Sequence, residues 1–430
     1  MKTLTIKNVV FGSGIPKIAV PVTDADPESI IKSAAAAKGQ ADLTELRIDA
    51  YLSRQDRREP GFREHLLHLL HDVRQAYDGP VLFTLRTSAE GGLAAISDEE
   101  YALILEWALG SGCVDLADIE FARTTAPEAA ESARRAGVPV VFSRHDFHGT
   151  PAAEEIAESF REMEKAGAAI AKGAFMPASE ADVDTIMRAA ELARRTLNIP
   201  FILIAMGEKG RITRTHGEAF GSCLTFASIG GRASAPGQIG AEEMRRELIK
   251  IHEALKRKGF IFLIGFMGAG KSACARALRK LAGLPVIEMD ESIEEDEGMT
   301  ISRIFETRGQ EAFRDMETDL LLKLYGKAGA VVSCGGGVVL RERNRMLMRG
   351  LGTIVLLTAS PETVYERLRG GVDRRPNMRG RFSIEGISEL MEARRAAYSE
   401  AADRTIATDG LSTRKIAEKI LKETGSDDFV

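Results

Sequence analysis

Residues 260–272 read FIFLIGFMGAGKS, and this stretch divides the chain. The apolar run ends at Gly265, a glycine-rich turn follows, and Lys271 and Ser272 complete the spacing G-x-x-x-x-G-K-S. A strand, a tight turn and a helix start in that order make a loop whose backbone N–H groups cradle phosphate. Gly268, Gly270 and Ala273 also fit a G-x-G-x-x-A dinucleotide fingerprint. Lys271-Ser272 decides for a triphosphate, because the ammonium supplies charge to the outer phosphates and the hydroxyl faces Mg2+. Gly265, Gly268, Ala269, Gly270, Lys271 and Ser272 are therefore the candidate nucleotide residues.

The chain has 430 residues, more than one hydrophobic core usually spans. Two domains are expected, over 1–256 and 257–430. Upstream of the loop, β-rich runs at 17–22, 42–48, 80–86, 114–120, 138–143, 168–174, 200–206 and 223–229 alternate with Ala-, Glu- and Arg-rich helical stretches. Such alternation builds a parallel sheet, and eight units suit a (β/α)8 TIM barrel rather than its rival, an open doubly wound sheet. The residues before the first unit are expected to cap the barrel's bottom. Residues 241–258 form an amphipathic helix with Met244, Leu248, Ile251 and Leu255 as its apolar stripe, and Gly259 is its expected C-cap.

A net charge of −5 leaves no electrostatic footprint for nucleic acid. No apolar run is long enough to span a membrane, and the N-terminus has no signal-peptide pattern. Cys113, Cys223, Cys274 and Cys334 are widely separated, which suits reduced thiols in a cytoplasmic protein. His65, His68 and His71 lie in HLLHLLH, but on a helix the outer two diverge, which argues against a metal site.

In the first half, polar residues collect at or just past the strand ends. They are Glu45, Arg47, Arg86, Glu90, His145, Lys172, Arg214, Ser234 and Gln238. Barrel enzymes carry their chemistry on that rim. At neutral pH only about one lysine in a few thousand is a free amine. Desolvation and a neighbouring cation such as Arg86 would favour that form at Lys172. His145 is suited to proton transfer. Read alone, these residues also fit a surface lysine and a structural histidine.

The segments VLFTLRTSAEGG (81–92), SRHDF (143–147), KGAFMP (172–177) and FGSCLTFASIGGRASAPGQIG (220–240) resemble type I 3-dehydroquinate dehydratase, over residues 15–255. The resemblance implies that Lys172 forms an imine with the substrate ketone and that His145 moves the protons with Glu90 as its partner. Glu45, Arg47, Arg86, Arg214, Ser234 and Gln238 would hold 3-dehydroquinate, with no cofactor required.

Downstream, EMD (288–290), FRDME (313–317), VVSCGGGVVL (331–340) and EARRAAY (392–398) follow the phosphate loop in the order found in shikimate kinase, which residues 260–410 resemble. That implies a three-layer α/β domain of the P-loop, nucleoside-monophosphate-kinase-like type, with ATP and Mg2+ as cofactors. Ser272 and Glu288 would serve the metal. Asp290, Arg314, Gly335, Gly336, Gly337 and Arg394 would hold shikimate. Arg375, in RRPNM, would be a lid arginine, and Arg369 would pack on adenine. Glu288 departs from the family's usual D-x-D by one methylene, and Asn377 stands where an apolar residue usually follows the lid's Arg-Pro.

Together these resemblances imply a bifunctional enzyme of the shikimate pathway. A class I aldolase-type barrel and a kinase-like domain that only binds nucleotide are the alternatives. The expected partners are small-molecule substrates and a separate shikimate dehydrogenase, since a reduction must come between the two reactions. A homodimer through the barrel is a further expectation.

Overall fold

A computed structural model of the chain describes residues 3–230, 238–369 and 382–425. Two compact units are present, Met1–His252 and Glu253–Val430.

The first unit opens with a short antiparallel hairpin, β1 (Leu4–Ile6) and β2 (Val9–Phe11), turned through Lys7 at φ 51°. Eight parallel strands follow. They are β3 (Lys17–Val22), β4 (Leu43–Arg47), β5 (Val81–Thr84), β6 (Leu116–Glu120), β7 (Val140–Asp146), β8 (Ile170–Phe175), β9 (Phe201–Ala205) and β10 (Leu224–Phe226). Their order in the sheet is β10-β3-β4-β5-β6-β7-β8-β9. The gap between the ends is bridged where Cys223 N–H donates to the Phe201 carbonyl at 2.9 Å. The result is a near-closed parallel barrel with a helix after most strands.

Alternate residues of a strand face the same side, and this sorts the barrel interior into layers. Leu43, Leu82, Leu116, Val141, Ile170, Ile202 and Leu224 form an apolar layer with Ile6, Val9 and Phe11 of the hairpin, which plugs the N-terminal end. Burying each large side chain there contributes roughly 1.5–3 kcal/mol. Two residues further along the same strands stand Glu45, Thr84, Asp118, Ser143 and Lys172. The next inward positions hold Arg47, Arg86, Glu120, His145 and Ala174. A polar layer thus lies directly on an apolar floor. His145, expected beyond its strand, is within β7, because β7 pairs with β8 as far as Asp146↔Phe175.

The helix Ala241–Arg257 buries Met244, Leu248 and Ile251, whereas Leu255 is only half-buried. Lys258, at φ 45°, takes the left-handed conformation at its end that was expected of Gly259. Gly259 instead lies at a close backbone approach: a Cβ on it would lie 3.1 Å from the Gly329 Cα, and one on Gly329 would lie 2.0 Å from the Gly259 carbonyl oxygen.

The second unit is a five-stranded parallel sheet in the order β12-β13-β11-β14-β15. The strands are β11 (Phe260–Ile264), β12 (Val286–Glu288), β13 (Val331–Ser333), β14 (Gly352–Thr358) and β15 (Arg404–Ala407). Ile261, Leu263, Val331, Val355, Leu357 and Ile406 pack on Cys274, Ala275 and Leu278 of the helix Lys271–Ala282 and on Ile416, Ala417 and Ile420 of the helix Thr413–Thr424. The long helix Ile301–Leu324 bends at Gly309, where φ is 82°. All four cysteines are free and buried. Among the described residues no helix is long and apolar enough to cross a membrane.

Candidate active sites

In the barrel, eight of the nine residues expected at the rim line one cavity of about 150 Å³: Glu45, Arg47, Arg86, Glu90, His145, Lys172, Arg214 and Gln238. The ninth, Ser234, lies outside the described residues. Lys172 is 3% exposed. Its Nζ donates to Asp118 Oδ2 at 2.8 Å and lies 3.5 Å from Glu45 Oε1. The Phe226 ring centre is 4.8 Å from the same nitrogen. Carboxylates, rather than the cation expected from the sequence, are therefore its nearest charged neighbours.

Arg86 is 2% exposed and ties the polar layer together. It donates to Asp118 at 2.6 Å, to Glu90 and Ser143 at 3.0 Å each, and to Glu120 at 3.4 Å. Three carboxylates raise its pKa even though burial opposes this. A carboxylate buried like Asp118 would ordinarily be pushed up, but Arg86 and Lys172 outweigh burial and hold it well below the usual range. Arg47 is likewise occupied, gripping Asp49 through two hydrogen bonds of 2.8 and 2.9 Å. Gly91 and Gly92 fit the turn after β5 for steric reasons. A Cβ on Gly92 would lie 2.0 Å from the Arg86 carbonyl oxygen, and one on Gly91 would lie 2.2 Å from the Phe147 ring.

His145 Nδ1 meets Glu90 Oε2 at 2.8 Å. Burial, then the charges of Arg86 and Lys172, push the imidazole pKa well below its ordinary value. Burial also pushes Glu90 up to about 8, helped by Glu120 and Asp118 and opposed by Arg86. A neutral imidazole is the form that can accept a proton. Arg214 is buried in the cavity wall, which lowers its pKa to about 10 and leaves it cationic at neutral pH.

Asp118, Glu120 and Ser143 were not among the expected site residues. Their signal was present in the strand DLADIE: Leu116, Asp118 and Glu120 share one face of β6, so a strand buried on both sides carries two carboxylates inward. The histidines of HLLHLLH are exposed on the helix Phe62–Ala76. Among the described residues no group of three or more His, Cys, Asp or Glu side chains could hold a metal.

In the second unit, the loop from Gly265 to Gly270 joins β11 to the N-terminus of the helix Lys271–Ala282. Gly265 (φ 140°), Gly268 (φ 81°) and Gly270 (φ 102°) adopt conformations that favour glycine. A Cβ on Gly265 would also lie 2.3 Å from the Leu357 carbonyl oxygen. Ala269 turns its side chain into the core, so only its backbone can face a ligand. Lys271 Nζ donates to the carbonyls of Gly265 at 2.8 Å and Phe266 at 3.2 Å. Ser272 Oγ donates to Glu288 Oε2 at 2.8 Å and lies 3.2 Å from Ser333 Oγ. Arg367 donates to the Gly268 carbonyl at 3.0 Å and to Thr408 Oγ1 at 3.2 Å. Arg369, the residue expected at the nucleotide, is exposed and pairs with Glu366. Arg375 lies outside the described residues.

A second cluster surrounds the glycine triplet after β13. Arg314 and Glu317, both buried, pair one helical turn apart. Burial raises Glu317 to about 7. A Cβ on Gly335 would lie 2.6 Å from Glu317 Oε1 and 2.9 Å from Asp290 Oδ1, and one on Gly337 would lie 2.1 Å from Arg314 Nη2. The triplet therefore makes room for these charges. The Gly336 carbonyl accepts from Tyr398 Oη at 2.5 Å and from Arg394 at 3.2 Å. Asp290 opens to solvent on one side, yet the surrounding protein still desolvates its carboxyl and raises its pKa.

Comparison with known proteins fits this division. Residues 18–254 match the model of type I 3-dehydroquinase, and residues 267–424 match that of shikimate kinase. The 3-dehydroquinate dehydratase of Lactiplantibacillus plantarum is 39% identical over 249 residues, 57% of this chain and 96% of that protein. The crystal structure of type I 3-dehydroquinate dehydratase from Clostridium difficile is 33% identical, with a TM-score of 0.55, over 59% of this chain and 99% of that one. The shikimate kinase from Acinetobacter baumannii, solved in complex with shikimate, is 32% identical over 41% of this chain and 97% of that one, with a TM-score of 0.38. The chain thus belongs to the type I 3-dehydroquinase family in its first half and to the shikimate kinase family in its second, and is a bifunctional enzyme of the shikimate pathway.

Proposed function

We propose that the first unit dehydrates 3-dehydroquinate to 3-dehydroshikimate through an imine on Lys172, and that the second transfers a phosphoryl group to the 3-hydroxyl of shikimate. The observation that carries the first assignment is a buried lysine amine sharing one small cavity with a histidine held by Glu90. Lys172 attacks the ketone and water leaves. His145 removes the adjacent proton through Nε2, while Glu90 fixes the ring through Nδ1. The electron pair passes into the iminium, giving an enamine, and its return expels the hydroxyl with a proton from His145. Hydrolysis frees the lysine. Arg214 would hold the substrate carboxylate, and Glu45, Arg47, Gln238 and Ser234 the hydroxyls. Arg86, already facing three carboxylates, would act by holding them in place.

Members of the shikimate kinase family use ATP and Mg2+. The residues here fit that pair. The phosphate loop is a cradle of positive-φ glycines at a helix N-terminus. Ser272 Oγ and the Glu288 carboxylate form an oxygen donor set suited to a hard cation. Glu288 Oε1, though buried, has no hydrogen-bond partner among the described residues. Bound MgATP would supply the γ-phosphoryl group. Lys271 would exchange its carbonyl partners for the outer phosphates, Ser272 and Glu288 would face the metal, and Arg367 would steady the loop. Asp290, with its raised pKa, would accept the substrate's hydroxyl proton, and Arg314 and Arg394 would hold its carboxylate.

The product of the first reaction still carries a ketone, so a separate reductase must act before the second. A shikimate dehydrogenase is the partner this chemistry calls for. Paired assays test the assignment: Lys172→Ala should silence dehydration and spare phosphorylation, and Lys271→Ala the reverse. Dehydration at the parental rate in Lys172→Ala, or phosphorylation at the parental rate in Lys271→Ala, would refute the corresponding half.

A further inference from the structure

We propose that Asp118 is a further catalytic residue of the barrel, the fixed counter-charge that keeps the Lys172 nitrogen protonated once it has joined the substrate. The inference rests on the imine reading above. Asp118 lies within β6 and is 1% exposed. Its Oδ2 accepts from Lys172 Nζ at 2.8 Å. Its Oδ1 accepts from Arg86 Nη2 and from Ser143 Oγ, each at 2.6 Å. Both oxygens are therefore committed, and the carboxylate cannot turn away from the amine. Glu45 is the weaker partner, at 3.5 Å from Nζ, and its near oxygen also accepts from Thr84 Oγ1 at 3.0 Å. Other charged or titratable groups facing Asp118 are Glu90, His145 and Tyr101, with Glu120 the next inward residue of β6, and Arg47 is bound to Asp49. Held well below the usual carboxylate range, Asp118 is an anion throughout and a poor proton store.

The proton balance suits a permanent anion. An ammonium and a ketone give a protonated imine and water. The C–N bond forms and the C–O bond breaks, and the oxygen leaves with two of the three ammonium hydrogens. The nitrogen carries one positive charge before and after. Removing the adjacent C–H proton then sends an electron pair toward nitrogen, and only the protonated imine accepts it to give a neutral enamine. In so dry a site an uncompensated iminium would shed its proton. A preorganised carboxylate in contact with the nitrogen prevents that and costs no reorganisation during the reaction.

The test uses two hydrides on the full chain with 3-dehydroquinate, read by mass spectrometry at Lys172. Borohydride reduces an imine in either protonation state, whereas cyanoborohydride reduces only the protonated form. In the parent both should leave an adduct; no borohydride adduct there would sink the imine reading itself. In Asp118→Asn the borohydride adduct should persist. The cyanoborohydride adduct at neutral pH should fall about tenfold, which places the variant's imine pKa about one unit below the assay pH, and recover in mildly acidic buffer. Turnover should fall on the order of 100-fold. Ser143→Ala, which only loosens Asp118, should shift the adduct ratio the same way by less, and it carries the test if Asp118→Asn does not fold. Parental adduct ratios in the folded variants, or parental turnover in Asp118→Asn, overturn the proposal. So does loss of the borohydride adduct from folded Asp118→Asn, because that would assign the carboxylate to amine attack instead.

Discussion

Replacing Arg86 by methionine keeps much of the side chain's volume and removes the one cation that faces three buried carboxylates. Removing one partner of a buried ion pair typically costs about 3–5 kcal/mol, because a charge is left uncompensated. Here each carboxylate keeps another partner. Asp118 retains Lys172 and Ser143, Glu120 retains the backbone N–H and hydroxyl of Thr87, and Glu90 retains His145. The lower end, about 3 kcal/mol, is therefore expected. The protein has a single tryptophan. Trp107 lies in the barrel unit with its ring against Phe62, so its fluorescence reports barrel unfolding by urea. With a slope of about 3 kcal/mol per molar, the midpoint should fall by about 1 M. Asp118 supplies the pH signature. Its folded pKa is depressed, so its stabilising contribution is present above the ordinary carboxylate value and lost as pH falls through the folded one. The variant lacks most of that contribution, so the gap from the parent should be widest near neutrality and narrow in acid. A midpoint within about 0.3 M of the parent at neutral pH would refute the uncompensated-charge argument.

Three further outcomes are expected. Because burial and nearby cations lower the His145 pKa, the imidazole stays neutral as pH falls past its ordinary value of 6.5. The acid limb of kcat/KM for dehydration should accordingly lie below that value, and initial rates placing it above neutrality would contradict the assignment. Gly337→Ala puts a methyl 2.1 Å from Arg314 Nη2. Losing one charge-assisted hydrogen bond to shikimate should raise its KM at least about tenfold with little change for ATP, and an unchanged shikimate KM would remove Arg314 from that site. Arg367→Ala should raise the KM for ATP several-fold, whereas Arg369→Ala should leave it near the parental value, since only Arg367 touches the phosphate loop. Nucleotide titrations showing the opposite order would count against this geometry.

Much of the architecture could be read from residue order. The strand runs of the first half alternate with helices and lie where the barrel strands are, and the spacing from Gly265 to Ser272 marks the second unit's phosphate loop. Pairing between distant residues was less legible. Arg47 and Arg86 look like free arms in the sequence, yet their carboxylate partners come from a neighbouring turn and from β6. Asp118 was hidden because it stands in mid-strand, and Glu120, although it ends β6, because in a strand buried on both sides the sequence does not show which face turns inward. Arg367 and Arg369 are two residues apart on a helical end, and only the helix's rotational phase determines which of them faces the loop. The left-handed residue at the end of Ala241–Arg257 fell on Lys258, one position before the expected Gly259, which lies where two backbones nearly touch.

The inward layering of the barrel has one more consequence. Nucleophile and counter-ion share one inward layer, on β8 and β6, and the base stands in the next layer on β7 between them, so their spacing is inherited from sheet registration rather than loop conformation. Remodelling the rim, by drift or by design, could exchange one ketone substrate for another while leaving the imine chemistry intact. A one-residue slip of β6 or β8 would abolish that chemistry at once, whatever the rim became.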